Sequence, residues 1–194
     1  SRIDAQREEA DPSNRLWSRF PKRRLEAEAI RDAMLAVSGQ LDLQMYGESV
    51  PTEILEDGRV LIPADNLGRN RRSVYISTQR SGIPNFLTTF DAPVMETNSP
   101  KRTASTIPQQ ALVAMNNPCM HESAGALRDR ILSEGHESFE ERLKRIWMLA
   151  YTRFPTDEET SLVKSWTQNA MDAGDTHDAW KTICHSVLSS NEFL

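Results

Sequence analysis

A chain of 194 residues, 38% of them hydrophobic, can bury about 70% of its unfolded surface in one or two cores and needs no covalent staple. Cys119 and Cys184 are too few for a disulfide framework, and no apolar run of about 18 residues is present, which argues against direct membrane insertion. The net charge of −5 is uneven, with 15 basic and 15 acidic groups in residues 1–102 but 8 and 13 in residues 103–194, a balance that disfavours a nucleic-acid partner.

In chain order, residues 1–13 read as a polar lead-in, unlike a signal peptide, and residues 14–194 as one mainly α-helical domain. NRLWSRF, from Asn14, is expected to begin the packed region. PKRRLEAEAIRDAMLAVSGQ follows as a helix opened by Pro21 and closed by Gly39. Winding it at roughly 100° per residue gathers Leu25, Ala29, Ile30, Ala33, Met34, Ala36 and Val37 on one face, with Glu26 near the middle of that face. Arg24, Glu28, Arg31 and Asp32 fall on the opposite, solvated side. A carboxylate on a buried face needs a partner, and the basic stretch 69–102 offers Arg72, Arg80 or Arg102; a protonated Glu26 acting as acid or base is the functional alternative.

Over residues 50–80 the period changes. TEIL and RVLI around Asp57-Gly58 predict a hairpin, and RRSVYIST a third strand, together a small antiparallel sheet inserted in the helical body. A short helix is expected around Asn85 to Phe90. In RTASTIPQQALVAMNNP a helix starts at either Thr106 or Ile107, because Pro108 disfavours helical geometry before it. Its body, Ala111 to Met115, is apolar all round and therefore expected to be buried on every side. Ser105, Thr106, Gln109, Gln110, Asn116 and Asn117 would then satisfy its terminal backbone groups. From about Pro118 the chain is helical to its end. One helix is lined by Leu127, Ile131 and Leu132 and closed by Gly135; capping boxes at Ser138–Glu141 and Thr156–Glu159 start two more, and Trp180 to Leu188 forms the last.

The strings RRLEAEAIRDAMLAVSGQLD, RRSVYISTQR, FDAP, RTASTIPQQALVAMNNP and CHSVLSSNEFL together resemble a planctomycete-specific domain of unknown function. That domain stands at the C-terminal end of large proteins, often with a c-type cytochrome-like domain upstream. The resemblance implies an extracytoplasmic, multidomain parent in which this piece is the terminal module; it brings no reaction with it. Ser99 stands where relatives often carry cysteine, and NNPCM replaces an aspartate-bearing string, so a thiol or acid role at those positions is not expected here.

Known chemical motifs are sparse. KTICH offers Cys184-His185, but Lys181 occupies the first cysteine position of a haem-attachment motif. Cys119 and His121 could join that string in a zinc site, yet neighbouring helical residues diverge and no ligand pair has i, i+4 spacing, so neither metal nor cofactor is expected. The four histidines, at 121, 136, 177 and 185, lie far from the serine-rich loops, and no hydrolase, phosphate-loop or zinc-protease motif occurs. Two readings remain. One is a non-catalytic interaction module that packs against other domains of its parent and binds an anionic polysaccharide through Arg72, Arg80, Lys101 and Arg102, with Glu26, Asp91, Thr106 and Gln109 as a buried polar cluster. The other is a carbohydrate-active enzyme using Glu26 or Asp91 as acid or base.

Overall fold

The computed structural model describes residues 5–18, 23–79, 82–93, 105–136, 138–172 and 178–194. Arg80, Ser99, Lys101, Arg102 and His177 lie outside them, as does Pro21, the expected helix start. The described elements are mainly α-helical, with one two-stranded antiparallel sheet: α1 (Ala5–Ala10), α2 (Ala27–Val37), β1 (Glu53–Ile54), β2 (Val60–Leu61), α3 (Asn85–Thr89), α4 (Pro108–Asn116), α5 (Pro118–Ser133), α6 (Phe139–Tyr151), α7 (Asp157–Asp172) and α8 (Ala179–Leu188).

The core follows the helical periodicity. Ile30 and Met34 of α2, Phe86 and Leu87 of α3, Leu127 and Ile131 of α5, Leu143 and Ile146 of α6, and Ile183, Cys184 and Leu188 of α8 belong to one apolar cluster. Both capping boxes form. Ser138 Oγ accepts from the Glu141 amide at 3.1 Å, and the Ser138 amide donates to the Glu141 carboxylate at 3.3 Å. Thr156 and Glu159 make the same exchange at 3.1 and 2.7 Å. Each box satisfies two amides that the first helical turn leaves without partners. Gly39 and Gly135 both take positive φ just past α2 and α5, the left-handed stop that glycine adopts without a Cβ clash.

Four expectations about the chain's course change. Leu16 and Trp17 are 79% and 86% exposed, so NRLWSRF does not begin the core. Helix α2 starts at Ala27 with Glu26 as its extended cap residue. That start leaves Glu26 outside the helix and exposed, and the buried face is Ala27, Ile30, Arg31, Met34 and Leu35, with Arg31 turned to the 69–73 backbone, the reverse of the helical-wheel reading.

The expected hairpin forms, with Glu53 opposite Leu61, Ile54 opposite Val60 and Gly58 at φ +81 in the turn. RRSVYIST, however, is no strand. Residues 73–75 make a 3-10 turn flanked by two isolated parallel bridges, Asp42 with Arg71 and Val50 with Ile76. Side chains of α2 occupy the backbone groups a ladder would need: Arg31 donates to the carbonyls of Arg69 and Arg71, and Asp32 accepts from the Ser73 amide at 2.7 Å.

Helix α4 is likewise not enclosed. Only Gln110 and Ala114 of it are buried, while Leu112 and Met115 are each 58% exposed. Its start follows the proline argument, with Ile107 as the extended cap residue and Pro108 first in the helix.

Candidate interaction surface

Two buried arginines build the most distinctive feature of the surface. Arg31, on α2, points its guanidinium at the loop 66–73, giving hydrogen bonds to the Arg71 carbonyl at 2.9 Å, to Ser73 Oγ at 3.1 Å and to the Arg69 carbonyl. Desolvation lowers its pKa; Cys119 and Asp32 offset part of that, and Arg69 adds to it. Arg71 then carries the connection outward. Its Nη1 donates to the Glu48 carbonyl at 2.8 Å and its Nη2 to the Tyr46 carbonyl at 2.5 Å and the Gln44 carbonyl at 3.4 Å, with the guanidinium carbon 4.0 Å from the Tyr75 ring centroid. The Tyr75 hydroxyl accepts from the Tyr46 amide at 3.0 Å.

A guanidinium offers five donors in a planar fork, so two of them can hold a loop that has no ladder of its own. The segment 42–48 is fixed by its carbonyls, which leaves its side chains facing water. Leu43 is 70%, Met45 62% and Tyr46 80% exposed, and Leu67 and Val74 on the adjoining loop are 100% and 73% exposed. Tyr46 also sits at φ +65, a left-handed geometry uncommon outside glycine.

A second polar node closes α3 onto α4. Asp91 adopts φ +65 directly after α3. Its Oδ2 accepts from Arg24 Nη2 at 2.5 Å and from the Ser105 amide at 2.7 Å, and its Oδ1 from Ser105 Oγ at 2.8 Å. Arg24 also donates to the Ser105 carbonyl. Desolvation raises the Asp91 pKa, but the bonds from Ser105 and Arg24 outweigh it and hold the carboxyl below its ordinary value. Gln110, 5% exposed, donates to the Thr89 carbonyl at 3.0 Å and accepts from the Ile107 amide at 3.4 Å.

The predicted polar cluster is therefore corrected in its membership. Asp91 is part of such a node, whereas Glu26, Thr106 and Gln109 are exposed; Arg24, Ser105 and Gln110 take their places. An ion pair does tie the segment before α2 to the loops, but with reversed polarity: the arginine stands before the helix and the carboxylate on the loop. Of the four predicted basic residues, Arg72 alone is described. Its side chain is 54% exposed and its Nε lies 3.9 Å from Asp32 Oδ2, while Arg80, Lys101 and Arg102 lie outside the described residues.

A third surface was not foreseen from the sequence. A groove of about 420 Å³ opens between α6, α7 and α8, lined by Trp147, Tyr151, Val163, Trp166, Ile183 and Val187. The polar tips of two of its aromatic residues are engaged: Trp147 Nε1 donates to Glu159 at 3.2 Å, and the Tyr151 hydroxyl donates to the Val187 carbonyl at 3.1 Å. The i, i+4 spacing of Trp147 with Tyr151 and of Leu162 with Trp166 was the available signal, and it reads equally as core.

Among the described residues, no group of three or more histidine, cysteine, aspartate or glutamate side chains is placed to hold a metal ion, and no helix is long and apolar enough to cross a membrane. Both cysteines are free. The architecture defines a mainly helical domain in which buried arginines hold loops that carry part of its exposed apolar surface. The chain belongs to the PSD1 family, described as a protein of unknown function (DUF1553), whose family model matches residues 1–167. No curated protein and no solved structure is significantly similar to it.

Proposed function

We propose that this domain is a non-catalytic interaction module that packs against other domains of a longer, extracytoplasmic parent protein. The observation that carries the reading is the pairing of a buried guanidinium with an apolar display. Arg71, 7% exposed, holds three carbonyls of residues 44–48, and the same segment turns Leu43, Met45 and Tyr46 to solvent. Burying a guanidinium costs several kcal/mol unless its donors are met. A fold that meets that cost to fix a loop of exposed apolar side chains makes sense where the loop is a contact surface. The extracytoplasmic setting and the association with a c-type cytochrome-like neighbour rest on the family resemblance and belong to this proposal.

The enzyme reading has less support. Glu26 is exposed at the start of α2, and both Asp91 oxygens are taken by Arg24 and Ser105. A general acid needs a raised pKa and access to its substrate; Asp91 has a lowered one. The anionic-polysaccharide reading rests on the exposure of Arg72.

The test is binding of this domain to the remainder of its parent, expressed separately. The wild-type domain is expected to bind, and Leu43→Asp and Tyr46→Asp to weaken binding at least tenfold, about 1.4 kcal/mol, while both variants stay folded. Binding unchanged by either substitution contradicts the reading. A salt-sensitive rise in melting temperature with sulfated glycans, lost in Arg72→Ala, would instead favour the polysaccharide.

A further inference from the structure

Helices α5 and α8 form the most extensive helix pair of the domain, and two histidines meet across it beside the end of α4. His121 of α5 and His185 of α8 stack with ring centroids 4.3 Å apart and planes 13° from parallel. His185 Nε2 lies 3.1 Å from the Ala114 carbonyl oxygen, so that nitrogen carries the proton of the neutral ring. The Ser189 hydroxyl donates to the same carbonyl at 3.0 Å. Through these two side chains α8 grips the last turn of α4. The strings CMH and KTICH thus come together as a stacked histidine pair.

The surroundings make the stack sensitive to charge. Helix α4 carries no ionisable side chain. On α5, the Glu122 carboxylate next to His121 is taken by Arg69 of the 66–73 loop. On α8, Cys184 is buried, and the charged groups acting on His185 are His121 and Lys181, both basic. Two imidazolium rings 4.3 Å apart repel, and Lys181 adds to that repulsion.

We propose that His121 and His185 form a proton-operated latch, holding α8 and the end of α4 on α5 while either ring is neutral and loosening that seat when both are protonated in mildly acidic solution. Desolvation first, then His121 and Lys181, lower the His185 pKa from its ordinary 6.5, with the Ala114 carbonyl partly opposing them. The sign follows from linkage. The unfolded chain takes up this proton first as pH falls, so the stack's stabilisation is present above about pH 6.5 and is lost below it.

The test compares wild type with His121→Phe, which keeps a ring in the stack at an exposed position and removes its proton. Amide exchange is followed over residues 113–117 and 185–189 from pH 7.5 to 5. Relative to the variant, wild type is expected to lose about tenfold protection per pH unit once both rings compete for protons. The His185 resonance should titrate higher in His121→Phe than in wild type, because His121 is one of the groups that lower it. Parallel exchange profiles for wild type and variant, or a His185 titration unchanged by the substitution, would overturn the proposal.

Discussion

The guanidinium of Arg71 lies 4.0 Å from the Tyr75 ring centroid, and both residues reach across to the same loop: Arg71 through the carbonyls of Gln44, Tyr46 and Glu48, Tyr75 through its hydroxyl to the Tyr46 amide. Segment 42–48 has no regular secondary structure and depends on these two side chains. Arg71→Lys keeps the charge but replaces the planar fork by a point donor. It should cost about 2–3 kcal/mol in urea unfolding, with the loss of exchange protection concentrated at the Tyr46 and Val50 amides. Tyr75→Phe keeps the ring beneath Arg71 and removes one acceptor, for about 1 kcal/mol.

Asp91 combines a left-handed backbone with a carboxylate that receives bonds from Arg24 and Ser105. Asparagine tolerates that backbone nearly as well as aspartate, so Asp91→Asn isolates the charge. The expected destabilisation is about 2 kcal/mol. Asp91→Gly, which relieves the backbone but removes every side-chain bond, should not recover it. A thermal midpoint in Asp91→Asn equal to wild type would show that the node adds nothing.

Acid should weaken the C-terminal helices through two carboxylates. Glu134 is held at about 2, first by the hydrogen bond from Arg145 and also by Arg130; Glu159 is held at about 2, first by Arg153 and also by the Thr156 amide and Trp147. Their folded values lie below the ordinary glutamate value of 4.5. Their contributions are therefore present above that pH and lost as pH falls toward 2. Both are partly solvated, so each contributes no more than about 1 kcal/mol. The urea midpoint should fall between pH 5 and 3, and less steeply in Glu134→Gln and Glu159→Gln.

What the sequence made legible were the features whose cause is local. The capping boxes at Ser138 and Thr156, the stops at Gly39 and Gly135, and the Asp57-Gly58 turn each depend on residues within about four positions, and all formed as read. The features that escaped depend on distant partners, 38 to 41 residues away for Arg31 and Asp32 and 67 for Arg24 with Asp91. Arg31 looked solvated because its partners, the carbonyls of Arg69 and Arg71, carry no side-chain signature. RRSVYIST has the alternation of a strand, but Asp32 and Arg31 claim the backbone groups a strand would use. Glu26 was placed on the buried face because the helix was started before it; with the helix starting at Ala27, Glu26 is an extended cap residue outside the wheel. In the polar node, Asp91 was picked out, but adjacent glutamines misled: Gln110 points inward and Gln109 outward, a choice set by where α3 packs.

The account turns on Leu43, Met45 and Tyr46 being a contact surface, and side-chain footprinting by hydroxyl radicals tests that directly. Labelling should be strong at Met45 and Tyr46 in the isolated domain, where they are 62% and 80% exposed. In the intact parent protein it should fall sharply at these positions, while exposed Leu25 is labelled alike in both. Equal labelling of Met45 and Tyr46 in the two contexts would contradict the proposed role of this loop.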